Sequence, residues 1–178
     1  MKELSLNVLD IAMNSVKAGA KHLDILLNEA GSRLTITIRD DGCGMSPEML
    51  ATVADPFTTT RTTRKVGMGI PLFKLAAEQT GGTLTIVSKQ ARAGEADHGT
   101  TVTATFDVSH VDCAPVGDMT STVTTLMQGS PEIDLTYEFL VDGEGKRLST
   151  AEMREMLGPD VPLDAPEVLS WVRDYLSE

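Results

Sequence analysis

Four groups of residues in this chain have types and spacings suited to chemistry. Asn7, Asp10, Asn14 and Lys17 recur at intervals of three, four and three, so they share one face if the segment is helical. An amide carbonyl can ligate Mg²⁺, a carboxylate can orient water and a lysine can meet phosphate, which together suit a magnesium-bound triphosphate. The same stripe is also what an amphipathic helix turns to water. The second group is Asp40-x-Gly42-x-Gly44. An ionised aspartate only accepts hydrogen bonds, so it can receive the exocyclic amino hydrogens of adenine, and the glycines let the backbone pass close to a flat ring. An ordinary Asp-Gly turn uses the same residues. The third is Gly67-Met68-Gly69-Ile70 ahead of Pro71, where glycines at a helix start present free N–H groups to phosphate. Neither glycine pair has the third glycine of a dinucleotide fingerprint, and GxxxxGK[ST] is absent. The fourth is Gly99-Thr100, whose hydroxyl could share a water with adenine.

These groups need elements to hold them. Residues 3–18 read as a helix with an apolar stripe of Leu6, Leu9, Met13 and Val16 beside the polar one, ended by Gly19. Leu23–Leu27 and Leu34–Ile38 read as strands, and the Asp40 turn follows the second directly. Ser46-Pro47-Glu48 opens a short helix. A threonine-rich loop runs from Asp55 to Gly69, and a second longer helix opens on Pro71 and closes at Gly81-Gly82. Thr83–Ser88 and Thr101–Phe106 complete a set of strands. Beyond them, Asp118 caps a helix to about Gln128, and Ile133, Leu135, Tyr137, Phe139 and Val141 alternate as one strand ending at Asp142-Gly143. Ser149/Glu152 and Asp164/Glu167 have capping-box spacing and start two short helices.

The charge divides the chain. Of 26 acidic and 15 basic residues, 11 of each fall in 1–106, whereas 107–178 hold 15 acids and 4 bases, so the whole excess of -11 sits in the last segment. That places a boundary near Asp107, with residues 1–107 as one domain and 108–178 as an acidic helix-strand-helix-helix extension. The net charge argues against a nucleic-acid binder, which needs a basic face to displace counterions. No apolar run reaches membrane-spanning length and no leader is evident, so neither a membrane nor a secreted protein is expected. Cys43 and Cys113 lack ligand spacing, which fits a reducing cytoplasm. Arg61, Arg64 and Lys65 form the densest basic group of the first segment.

The pieces, in this order, resemble the ATP-binding domain of the GHKL superfamily: gyrase-type topoisomerases, heat-shock chaperones, sensor histidine kinases and mismatch-repair ATPases. Asp10-Ile-Ala-Met-Asn14-Ser-Val-Lys17-Ala-Gly-Ala is similar to its N box and Asp40-Asp-Gly42-Cys-Gly44-Met45 to its G1 box. Asp55-Pro-Phe57-Thr58-Thr59 is similar to the F box, Gly67-Met68-Gly69-Ile70 to the G2 box, and Gly99-Thr100 to the last box. The match covers about residues 3–106. It implies an α+β, two-layer α/β sandwich (the Bergerat fold), a mixed sheet with helices on one face. It implies ATP and Mg²⁺ as cofactors, with Asn14 as the metal ligand and Asp40 as the adenine selector. Met45, Phe57, Thr58, Thr59, Met68 and Ile70 come with the boxes as nucleotide-binding residues. Gly42, Gly44, Gly67 and Gly69 would shape pocket and lid, and Thr100 would support the adenine water. Arg61, Arg64 and Lys65 would lie in the lid over the triphosphate, and Lys17 would face phosphate as sensor-kinase lysines do.

Two departures bear on activity. Hydrolysing members place glutamate four residues before the metal asparagine; here Asp10 stands there, one methylene shorter, and a shorter arm could slow hydrolysis. The second departure is an expected lack of a dimerisation helix pair ahead of the N box. Ser109-His110-Val111-Asp112-Cys113-Ala114-Pro115 imitates a phospho-acceptor box, but it follows the ATP-binding segment and Val111 takes the acid's place. His22 and His98 read as plain surface residues. The expectation is therefore a cytoplasmic, histidine-kinase-like protein, catalytic through Asp10 and Lys17, that phosphorylates or regulates a separate partner protein and could form a homodimer. A self-contained slow ATPase and a non-catalytic ATP-gated binding module are the alternatives.

Overall fold

The computed structural model describes residues 3–53, 68–92, 95 and 97–178. In chain order the elements are α1 (Leu4–Lys17), β1 (His22–Ala30), β2 (Arg33–Asp40), α2 (Pro47–Thr52), α3 (Gly69–Glu78), β3 (Leu84–Lys89), β4 (Gly99–Asp107), α4 (Met119–Gly129), β5 (Asp134–Val141), β6 (Glu144–Ser149), α5 (Thr150–Leu157) and α6 (Pro166–Ser177). The strands form a single mixed sheet in the order β3-β4-β2-β1-β5-β6, antiparallel throughout except that β1 and β5 run parallel.

Alternation builds the core. Leu23, Ile25 and Leu27, then Leu34, Ile36 and Ile38, are buried at every second position, and Val102, Ala104 and Phe106 continue the same face on β4. The register sets Ile25 opposite Ile38 and Ile38 opposite Val102, so one apolar face spans the strands. Helices α1, α3 and α4 cover it, and α6 packs on α4. Phe73 of α3 meets Phe106 of β4 with ring centroids 5.7 Å apart. At the end of that face the row changes chemistry: Leu135, Leu23, Asp40, Thr100 and Ser88 are successive cross-strand partners. An apolar row thus turns polar at β2, and Asp40 is where it turns.

Several elements differ from the sequence expectation. The buried residues of α1 are Leu4, Ser5, Asn7, Val8, Ile11, Ala12 and Ser15; of the expected stripe, Leu9 and Val16 pack partly buried against the core while Leu6 and Met13 are exposed. Asn7 leaves the polar stripe altogether and is buried, with its Oδ1 lacking a hydrogen-bond partner among the described residues. The helix expected to open on Pro71 begins at Gly69, with the proline in its first turn, where a missing N–H costs nothing. In the acidic segment, the single strand becomes the β5–β6 hairpin around Asp142-Gly143, both with positive φ, so the helix-strand-helix-helix order gains a strand. Ser149 does cap α5, accepting from the Glu152 N–H, and Asp118 caps α4 by accepting from Ser121 N–H at 2.9 Å. Asp164 caps nothing: α6 starts two residues later, with Ala165 as N-cap and Pro166 as its first residue.

Candidate nucleotide site

The turn after β2 is held from every side. Asp40 Oδ1 accepts from Gly42 N–H at 2.8 Å and from Thr100 N–H at 3.3 Å, and Oδ2 accepts from the Ser15 hydroxyl at 2.5 Å. A carboxylate offers about four lone-pair positions, so one remains open, on Oδ2. Gly42 carbonyl meets His98 Nδ1 at 2.6 Å, Cys43 N–H donates to Ala18 carbonyl at 2.9 Å, and Cys43 carbonyl accepts from Ala91 N–H at 2.7 Å. Met45 N–H donates to Ser88 Oγ at 2.8 Å, and that hydroxyl also lies 2.8 Å from Thr100 Oγ1. The next residue, Asp41, turns away from Asp40 and accepts from the N–H groups of Lys21 and His22 and from the His22 ring.

Three glycines here have steric reasons; a Cβ on Gly42 would lie 2.7 Å from Ala18 Cβ. A Cβ on Gly44 would lie 2.1 Å from the Lys89 carbonyl oxygen at φ +72, and one on Gly99 would lie 2.0 Å from the Asp40 carbonyl oxygen at φ +141. Both positions let neighbouring backbone come against the turn. Gly69 differs. A Cβ there would make ordinary contacts, 3.5 Å to Asp10 Cβ and 3.8 Å to Asn14 Nδ2, which fixes the start of α3 beside those two side chains.

Along α1, Asp10 and Lys17 are exposed and Asn14 is half-buried. Burial of the Asp10 stem raises its carboxyl above the ordinary aspartate range, and Lys17 two turns on pulls it partly back. Met45 and Thr100 are half-buried at the turn, Ile70 is core, and Met68 is the N-cap of α3. The structure therefore brings Asp10 and Asn14 of α1 against Gly69 at the start of α3, and Asp40, Gly42 and Thr100 together with Ser15 of the same helix; Lys17 lies one turn beyond Asn14 on α1, Gly44 and Met45 continue the turn, and Met68 and Ile70 flank Gly69. Phe57, Thr58, Thr59, Arg61, Arg64, Lys65 and Gly67 lie outside the described residues.

Sequence reasoning missed three participants. Ser15 follows Asn14 on the buried side of α1, and a buried hydroxyl needs a partner; its spacing from Val8 and Ile11 was the available signal. Ser88 and His98 act through partners far along the chain and left no local signal. His98 is half-buried against the turn and is not a plain surface residue; His22 is exposed as expected, with its ring 2.7 Å from Asp41 and 3.3 Å from Asp134. The hydrogen bond to Asp41 raises His22, outweighing a small loss of hydration. For Asp41 burial pushes upward, but the His22 and Lys21 N–H groups and the His22 ring bring it below the ordinary value. His110 sits in a turn, not on a helix, and its Nδ1 accepts from Asp112 N–H.

Ser15→Ala would leave Asp40 Oδ2 without its shortest donor. If the turn receives adenine as the sequence resemblance implies, calorimetry should show about a tenfold weaker ATP affinity, with a melting temperature lowered only slightly, since one charge-assisted hydrogen bond is at stake.

A six-stranded mixed sheet with helices over its apolar face, and an aspartate-glycine turn set against the first helix, is the GHKL or Bergerat α+β fold. The chain belongs to the histidine kinase-, DNA gyrase B-, and HSP90-like ATPase family, whose model matches residues 1–110. It is 25% identical over 87 residues to the sensor histidine kinase ZraS of Escherichia coli K12, a match covering 48% of this chain and 18% of that protein. Sporulation kinase D of Bacillus subtilis is 33% identical over 109 residues, 61% of this chain and 20% of that protein. The chain thus spans about a fifth of the length of these relatives. The MutL ATPase domain of Aquifex aeolicus, solved with ADP, superimposes with a TM-score of 0.55 over 88% of this chain and 68% of that one, at 14% identity, a likeness of fold. Among the described residues no helix is long and apolar enough to cross a membrane.

Proposed function

We propose that this chain binds ATP·Mg²⁺ at the Asp40 turn and uses it to phosphorylate, or to regulate by nucleotide state, a separate partner protein. The observation that carries the reading is the Asp40 carboxylate: three donors fix it and one lone pair is left for a ligand. Adenine offers an amino hydrogen there, where guanine would set a carbonyl oxygen against the carboxylate. Asn14 would hold Mg²⁺ through its amide oxygen, and the metal would supply charge neutralisation to the phosphates. Lys17 would lie toward phosphate, and the basic residues Arg61, Arg64 and Lys65 would cover the triphosphate. Gly42 and Gly44 would shape the base pocket, with Gly67 and Gly69 at the lid. Phe57, Thr58, Thr59, Met68 and Ile70 belong to the same reading through their boxes, as do a cytoplasmic location and a division of labour between residues 1–107 and the acidic extension.

The position of Asp10 favours a second reading, slow hydrolysis by the chain itself. Its carboxyl stands one helical turn before Asn14 and is held above the usual aspartate range. Phosphate release should then fall at least a hundredfold in Asp10→Asn, a typical contribution of a general base, while ATP affinity holds. In the wild type, protonation removes the base as pH falls, so the acid limb of turnover should lie above the ordinary aspartate value. Calorimetry with ATP and Mg²⁺ tests the shared premise: no heat from folded protein overturns both readings. If ATP binds but Asp10→Asn hydrolyses as fast as the parent, self-contained hydrolysis through Asp10 is excluded. Transfer of label from ATP to a protein substrate then separates phosphorylation from regulation.

A further inference from the structure

Away from the turn after β2, α5 and α6 flank an open groove of about 400 Å³. Met153, Met156, Leu157, Val161, Val168 and Trp171 line it. Its walls are apolar yet open: Met156 is 85% exposed and Trp171 53% exposed. The tryptophan is also held in place. Its ring stacks on Tyr175 with centroids 5.2 Å apart, Lys146 Nζ lies 4.7 Å above the Tyr175 ring and donates to the Tyr175 carbonyl at 3.0 Å, and the tyrosine hydroxyl donates to the Arg147 carbonyl. A rigid aromatic anchor loses little freedom on binding, and methionines beside it adapt to varied aliphatic side chains. A patch of this kind marks an interaction surface.

Charge selects the occupant. Residues 150–178 hold 7 acids and 2 bases. Arg154 is already engaged with Asp134 and with the carbonyls of Pro131 and Ile133. Arg173 stands two residues after Trp171, about 200° around the helix and so away from the groove. Glu167 lines the groove, Asp174 follows Trp171 by three residues on the same stripe, and Asp160 precedes Val161; all three are exposed. A second copy of this chain would set carboxylate rims against each other. We propose that the groove docks a lysine- or arginine-rich amphipathic helix of a partner protein, its apolar face on Met156 and Trp171 and its cations against Glu167, Asp174 and Asp160. This describes the partner in the reading above, but it does not require nucleotide binding, so failure of the calorimetric test leaves it standing.

Trp171 is the sole tryptophan, so its emission reports on the groove directly. The probe is a synthetic helix of about 18 residues with leucines on one face and lysines on the other, titrated into the full chain. Its glutamate counterpart is the control. The lysine helix should shift Trp171 emission to shorter wavelength and saturate, and the glutamate helix should do nothing. Met156→Glu, at a highly exposed position, should weaken binding about thirty-fold, the scale of an interface anchor, with an unchanged circular dichroism spectrum. Glu167→Lys should weaken it as well. The proposal is overturned if the lysine helix leaves Trp171 emission unchanged, or if both variants bind as tightly as the parent, which would mean attraction to general acidity alone. It is equally overturned if dilution series show the emission tracking self-association without peptide.

Discussion

Asp40→Asn should abolish useful ATP binding, by about a hundredfold or more, while leaving a folded protein. The two outcomes separate because the two oxygens do different work. Oδ1 takes both backbone N–H groups, from Gly42 and Thr100, and an asparagine oxygen can do the same. The amide nitrogen then replaces Oδ2 and faces Ser15, whose hydroxyl turns from donor to acceptor at little cost. What cannot be restored is the open lone pair: an N–H now points where an adenine amino hydrogen would arrive, two donors meeting head-on. Calorimetry with ATP and a thermal melt on the same preparation check this. Retained affinity would remove Asp40 as the base-selecting residue, and a collapsed melt would mean that the carboxylate also supports the fold.

Gly99→Ala should damage both fold and site. Its Cβ would overlap the Asp40 carbonyl oxygen at 2.0 Å and come within 2.9 Å of Asp41 Cα, at a φ of +141 that side chains rarely adopt. The obstructing atoms are backbone, so either the Asp40–Thr100 pairing opens or the turn shifts. We expect a loss of about 3 kcal/mol or more, read as a lowered denaturation midpoint, with ATP binding below detection. Gly81→Ala is the control. It also has positive φ but no atom within 4 Å of the added carbon, so it should cost only about 1 kcal/mol and leave binding intact.

The site was legible where chemistry is packed into short turns. Asp40, Gly42 and Gly44 lie within five residues at a strand end, and Asn14 lies on one helix with Asp10 and Lys17, so spacing grouped each set, while the family resemblance was what set the two groups side by side. The clamps were not legible. His98 to Gly42 and Ser88 to Met45 join residues brought together by β3 and β4, and only the sheet register pairs them. In α1 two stripes of similar period compete, Leu6-Leu9-Met13-Val16 and Leu4-Val8-Ile11-Ser15. Periodicity cannot choose between them. The sheet and flanking helices decide, and Ser15 wins a buried place because Asp40 waits beneath it. Strand β6 escaped notice because Glu144-Gly145-Lys146-Arg147 is polar, as suits an outermost strand that must not recruit another chain. The mixed sheet itself was anticipated; that the acidic segment supplies two of its strands was not.

The parallel pairing of β1 with β5 has a consequence for the order of assembly on the ribosome. His22 and Asp134 are register partners although 111 residues lie between them in the chain. While the nascent chain emerges, β1 can pair with β2 early, but its other side keeps bare amides and carbonyls until the late strand is made. A polypeptide stalled before that point presents an unfinished margin to its neighbours, and polysomes would be where such chains first meet.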